Sequence, residues 1–386
     1  MVAASSSSTR TRASPCWASA AERPGSPLSL EQNQDAFALP ELSSELGAAG
    51  ARAWAGGARA WAGGARAWAG GARAWAGGAA TWDGSVPTEP SFTPLNNARA
   101  GQQIGLFEAH TKLAPHLGDG VVVAVIDTGL DLAHPLFTDR LVPGWDFLDN
   151  DARPQDEGPG DNYGHGTAVA GVLLQVAPQA KIMPLRVLNA DGQGDTDDLV
   201  LAINWAIEHG ANLINLSLGA TETSSAVGKV LAKAKNKGVA VIASSGNSGD
   251  RNVTFPAREA VKNGAYKDTL VSVGSVNAAD EKSSFSTYQK DMVEIVAPGE
   301  LIFTAYPNDR VIYWSGTSFA APMVSGALAL ALGEPNLDKA PKDLPKLVVE
   351  KVMDDLYKVG TNGKLYKDGL CKGRLDLEKV LSDVLK

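Results

Sequence analysis

Short unbroken apolar runs alternate along this chain with stretches whose apolar positions recur every three or four residues. Val121-Val122-Val123-Ala124-Val125-Ile126 has no polar position and predicts a strand buried on both faces. Val239-Ala240-Val241-Ile242-Ala243 predicts a second. Between them, Thr196 to His209 and Ser225 to Lys237 have helical spacing, and each is followed by glycine and then a strand. Alternation of this kind predicts an α/β fold, a mostly parallel central sheet covered by helices on both faces. Ala320 to Leu330 is small and apolar throughout and predicts a buried helix with Pro322 in its first turn, where a missing N–H is harmless. Leu344 to Tyr357 again has helical spacing.

The first 97 residues break the pattern. Ala51-Arg52-Ala53-Trp54-Ala55-Gly56-Gly57 recurs from positions 58, 65 and 72, so residues 51–78 hold four copies with tryptophan every seventh residue. That spacing invites a coiled coil, but two glycines per unit each oppose helix by about 1 kcal/mol and only one bulky apolar residue recurs. Residues 1–97 therefore read as a low-complexity, disordered arm, and no strand or amphipathic helix is predicted before Pro94. The remainder, 98–386, reads as one domain.

Composition narrows the function. With 386 residues, 44% of them apolar, the chain can bury a substantial core. The seven arginines and seven acidic residues of 1–94 cancel, so the whole net charge of −8 lies beyond them. An acidic domain argues against nucleic acid as a partner. No run approaches the ~20 apolar residues of a membrane span. Met1 to Pro27 lacks the continuous apolar core of a secretion signal. Cys16 and Cys371 supply neither a disulfide framework nor metal spacing.

Three separated motifs carry candidate chemistry. Asp127-Thr128-Gly129 follows the first buried strand, at the end where open parallel sheets place their ligands. His165-Gly166-Thr167 and Gly316-Thr317-Ser318 lie further on, the last opening the Ala320 helix. A serine hydroxyl is a weak nucleophile until an imidazole takes its proton, and the imidazole needs an anchored acceptor on its other nitrogen. Asp127, His165 and Ser318 are the residue types required. Asn247, in Ser244-Ser245-Gly246-Asn247-Ser248-Gly249, is the candidate oxyanion donor, to act with the backbone N–H of Ser318. Singly, each motif is equally a turn, a helix entrance or an N-cap. Together, in order and at element ends, they point to a hydrolytic site.

With those motifs the chain resembles the subtilisin family of serine proteases from about residue 100 onward, in the chain order Asp, His, Ser. Gly144 to Asp151 is similar more narrowly to thermitase-like members, and Gly373 to Val380 resembles the family's closing helix. The resemblance implies a three-layer α/β fold and a monomeric serine endopeptidase of broad specificity acting on proteins and peptides. Asp127 would orient His165, the general base and acid; Ser318 would be the nucleophile and Asn247 the oxyanion donor. Ser217, Leu218 and Gly219 would pair with an extended substrate. Ala243, Ser244, Ser245, Gly246 and Thr254 would form the specificity pocket. The chemistry requires no cofactor.

Departures accompany the likeness. Val172-Leu173-Leu174-Gln175 runs directly into Val176-Ala177-Pro178, leaving no room for the inserted calcium loop of well-known secreted members. Asp146, Asp149, Asp151 and Gln155 match the spacing of a thermitase-like calcium site, while a solvated acidic loop is the alternative. The arm does not resemble an inhibitory propeptide. Members are usually secreted, but the arm carries no recognisable export signal. A silent binding protein and an esterase remain as rival readings.

Overall fold

The apolar run at 121 becomes strand β2, Val122–Asp127, which ends on the aspartate. Its alternate residues enter two separate cores: Val123 and Val125 face one layer, Ala124 and Ile126 the other. The two-residue period of a strand thus sends Asp127 toward the same side as Val123 and Val125. The computed structural model describes residues 35–38, 97–261, 264–266, 269–334 and 373–384. The helical spacing at Leu344 to Tyr357, the tryptophan repeats and both cysteines lie outside the described residues.

Beyond a first strand β1, Asp35–Ala38, the chain enters helices α1, Ala98–Gln103, and α2, Leu106–Leu113, before β2. There follow β3 (Trp145–Asp146), α3 (His165–Val176), β4 (Lys181–Arg186), β5 (Gln193–Asp195) and α4 (Thr196–Glu208). Next come β6 (Leu213–Leu216), β7 (Leu218–Gly219), α5 (Ser225–Lys237), β8 (Ala240–Ser244), β9 (Leu270–Val276) and β10 (Ile295–Pro298). A hairpin of β11 (Ile302–Tyr306) and β12 (Arg310–Trp314) leads to α6, Thr317–Leu332. Strand β13 (Gly373–Arg374) and helix α7 (Leu377–Val384) close the described chain.

The main sheet has the order β13-β10-β9-β8-β6-β2-β4-β3, and every pairing in it is parallel. Helices α3 and α6 pack on one face through Val169, Val172, Val324 and Leu328, and α4 and α5 on the other through Ile203, Ala206, Val230 and Leu231. From β2 the chain passes to the edge strand β3, comes back to β4 beside β2, then crosses to β6 on the opposite side of β2. A reversal of strand order opens a crevice at the carboxyl ends of the two strands, here beyond Asp127 and Leu216. The expected α/β fold with a parallel sheet between helices is observed.

Two expectations need correction. Strand β1 lies inside the arm for which no strand was predicted. Helix α6 starts at Thr317, so Pro322 sits in its second turn, inside the helix. The missing Pro322 N–H would have bonded the carbonyl of Ser318; that oxygen instead accepts the Ser217 hydroxyl at 2.8 Å.

Candidate active site

Asp127 and His165 meet directly. His165 Nδ1 lies 2.6 Å from Asp127 Oδ1, and both side chains are fully buried. The same Oδ1 accepts the Thr128 backbone N–H at 2.8 Å, a second bond that restrains the carboxylate. Being the first residue of α3, His165 has its position set by how that helix starts. Gly164 precedes it in the left-handed region (φ +88°) and has no side chain to cap the helix.

The first-turn N–H groups of α3 are satisfied from elsewhere in the chain. His165 N–H reaches Asn162 O (3.1 Å), Gly166 N–H reaches Thr128 Oγ1 (2.9 Å), and Thr167 N–H reaches Asp156 Oδ2 (3.2 Å). Gly166 must be glycine: a Cβ there would lie 2.1 Å from the Gly129 carbonyl oxygen. The helix start is thereby pressed against the end of β2. Asp156, only 3% exposed, is pushed up to about 6 by burial, against the pull of bonds from Thr167 and Gly164 and with a further push from the Asp127 charge.

Ser318 occupies the first turn of α6 and is buried. Its Oγ donates to Ser217 O at 3.3 Å, while Ser217 Oγ donates to Ser318 O, so Ser217 and Ser318 are bonded in both directions. Asn215 Nδ2 supports Ser217 Oγ at 3.0 Å, and Ser325 Oγ supports Asn215 Oδ1 at 2.8 Å. The next residue, Phe319, places its ring 5.7 Å from the His165 ring, and Trp314 stands at 5.7 Å as well. Asn247 Oδ1 accepts both the N–H and the hydroxyl of Thr317, each at 2.9 Å. With the oxygen committed, the rotamer of the amide is fixed beside the N-terminus of α6.

A second, three-stranded sheet borders these groups, in the order β5-β1-β7. Strand β1 is antiparallel to both neighbours, with Ala36 opposite Gly194, Phe37 opposite Gln193 and Gly219, and Ala38 opposite Leu218. Extended chain therefore fills the slot between β5 and β7, and β7 begins one residue after Ser217. Ala243 and Ser244 end β8 beside β6, with Ala243 opposite Leu216. Ser245 O accepts the Thr254 N–H at 3.1 Å, and Gly246 N–H reaches Thr317 Oγ1 at 3.3 Å. Gly246 takes φ +113°, which only glycine adopts cheaply. Of residues 217–219, 243–246 and 254, Ser217 bonds Ser318 itself and Gly246 bonds Thr317, the residue before it.

The acidic loop is arranged differently from a cation cage. Arg186 Nη1 lies 2.8 Å from Asp146 Oδ2, 2.8 Å from Asp149 Oδ2 and 3.3 Å from Glu157 Oε2. Asp146 Oδ1 accepts the N–H groups of Leu148 (2.9 Å) and Asp149 (3.0 Å), and Asp151 Oδ1 accepts that of Arg153 (2.7 Å). Among the described residues no group of three or more His, Cys, Asp or Glu is placed to hold a metal. Asp146, Asp149, Asp151 and Gln155 do not fit a calcium ion as they stand, because a guanidinium supplies the positive charge. Burial pushes the Asp146 carboxyl above its ordinary range, and Arg186 holds it back. Nothing in the spacing of Arg186 foretold this; it follows a strand residue pattern like any other.

Comparison with known proteins points to one family. The sequence model of the subtilase family, peptidase S8, matches residues 118–368. Thermitase of Thermoactinomyces vulgaris is 37% identical over 223 residues, 55% of this chain and 75% of that protein. The major intracellular serine protease of Bacillus subtilis is 36% identical over 228 residues, 55% of this chain and 68% of that protein. A solved structure of a cold-adapted subtilisin-like serine proteinase superposes with a TM-score of 0.55 at 33% identity, over 67% of this chain and 89% of that one.

Proposed function

The chain belongs to the subtilase family of serine endopeptidases, and on that premise we propose that Asp127, His165 and Ser318 form its catalytic triad, with Asn247 as oxyanion donor. His165 takes the Ser318 proton through Nε2 while Asp127 holds Nδ1–H, so the imidazole presents its basic edge to the serine. Ser318 Oγ attacks the carbonyl carbon of the scissile peptide. The oxygen that becomes negative is met by the Ser318 N–H at the head of α6 and by Asn247 Nδ2–H, an amide whose other end Thr317 holds. His165 then gives the proton to the leaving amine, and water repeats the sequence on the acyl-enzyme.

The observation that carries the peptide reading over an esterase one is β1, an extended segment paired antiparallel on both sides between β5 and β7. A slot that pairs with backbone on two edges accepts peptides with limited regard to side chains, which supports broad specificity. A small ester would leave both edges unused. The intact Asp127–His165 contact weighs against a silent binding protein.

Casein hydrolysis measured beside a small-ester assay tests this. Ser318→Ala is expected to abolish both, together with labelling by a serine-directed phosphonate. Retained labelling would place the nucleophile elsewhere, and ester turnover without casein turnover would favour the esterase.

A further inference from the structure

Asp156 touches both halves of the framework that holds the Asp127–His165 pair. Its Oδ1 accepts from Thr128 Oγ1 at 3.2 Å and from Gly164 N at 3.0 Å; its Oδ2 accepts from Thr167 N at 3.2 Å and Thr167 Oγ1 at 2.7 Å. The proton directions are forced. An ionised carboxylate only accepts, so each threonine hydroxyl gives its own proton to Asp156, while Thr128 Oγ1 accepts the Gly166 N–H at 2.9 Å and Thr167 Oγ1 the Asp131 N–H at 2.9 Å. Two backbone N–H groups complete four donors aimed at one carboxylate. Thr128 follows Asp127, and Gly164, Gly166 and Thr167 flank His165.

We propose that Asp156 is a positioning residue of the hydrolytic reaction: its carboxylate ties the end of β2 to the start of α3 and so sets the Asp127–His165 alignment. The proposal rests on the triad assignment above. Asp156 is itself held by its backbone, with its N–H on Leu130 O at 2.9 Å and the Leu130 N–H on Pro154 O at 3.0 Å, so the carboxylate is delivered from a fixed point. Ordinary capping does not require this arrangement. A cap needs one acceptor for one or two helix N–H groups, whereas here two of the four donors are threonine hydroxyls, one of them on the residue directly after the strand that ends in Asp127. Burial raises the pKa of Asp156, so an ionised carboxylate here is held against its own preference.

The near-isosteric Asp156→Asn tests the idea, because an amide must turn its NH2 toward either Gly164 N–H or Thr167 N–H, neither of which can reverse. Misalignment at the chemistry costs rate far more than binding, up to about 100-fold for ~1 Å. The expected result is a roughly 10- to 100-fold fall in kcat on a peptide substrate with KM within about twofold of wild type. The far-downfield proton NMR signal of the short His165 Nδ1–Asp127 bond should move or broaden. A folded variant with wild-type kcat and an unmoved signal overturns the proposal, as does a loss confined to KM. Should Asp156→Asn fail to fold, Asp156→Glu decides, since it keeps every donor and the Thr128–Gly166 bond and displaces only the carboxylate: a lowered kcat with a shifted signal supports the proposal, and wild-type values refute it. Failure of the triad reading itself would show separately, as activity and phosphonate labelling that survive in Ser318→Ala.

Discussion

Asp156 makes a quantitative prediction about stability that is independent of turnover. Its pKa is raised from 3.8 to about 6 in the folded protein, chiefly by burial. A carboxyl whose folded pKa is raised binds its proton more tightly when folded, so its contribution to stability is fully present below the unfolded pKa and is lost as pH rises through about 6. Two pKa units correspond to about 3 kcal/mol, of which about 2 kcal/mol is released between pH 7 and pH 4. Asp156→Asn cannot titrate. The stability difference between the parent and Asp156→Asn should therefore shift by about 2 kcal/mol in favour of the parent on going from pH 7 to pH 4, or roughly 4–8 °C in Tm. Urea unfolding of both proteins, each carrying Ser318→Ala to prevent self-digestion, measures it, and taking the difference cancels the carboxylates that do not interact with Asp156. A difference constant to within about 0.5 kcal/mol over that range, or one moving the opposite way, refutes the linkage argument.

Other expectations concern the loop, the amide and the arm. Arg186→Leu leaves the buried Asp146 without its cation and should cost about 3–5 kcal/mol, read as a lowered Tm. A chelator should leave the Tm of the parent protein unchanged, and a chelator-sensitive Tm that becomes insensitive in Asp151→Asn would put calcium on the Asp146 loop. Asn247→Ala should lower kcat by about 100-fold or more with little change in KM, the size of effect known for such a donor in a subtilisin; an effect on KM alone would remove Asn247 from the oxyanion site. Phe37→Pro takes an N–H out of the middle strand of the β5-β1-β7 sheet. If β1 competes with substrate for that slot, the variant should show a lower apparent KM at unchanged kcat, and an unaltered KM would show that the segment does not hinder peptide entry.

The sequence was most legible where one local rule decides. The Val121 run had to be a buried strand, and its end had to present Asp127. The helices at Thr196 and Ser225 were read almost to the residue, because apolar spacing and the glycines after them agree: the structure has Thr196–Glu208 and Ser225–Lys237. Pro322 was misread because proline's local rule favours a first turn, whereas a tertiary donor, Ser217 Oγ, makes its interior position tolerable. β1 was missed since Asp35-Ala36-Phe37-Ala38 has no strand signal of its own. Both of its partners, Gln193–Asp195 and Leu218–Gly219, lie more than 150 positions away.

By itself, then, the chain's order of residues determined the layered α/β fold and which aspartate, histidine, serine and asparagine were available to meet. Only the tertiary structure decided what the remaining charges do. Asp146, Asp149, Asp156 and Glu157 look alike along the sequence, as acids of one loop. Folding buries Asp156 among four donors and turns Asp146, Asp149 and Glu157 toward Arg186. The physical reason is that a charge takes its role from what it loses to burial and what it gains from its partners. Neither quantity exists until distant segments are packed against each other.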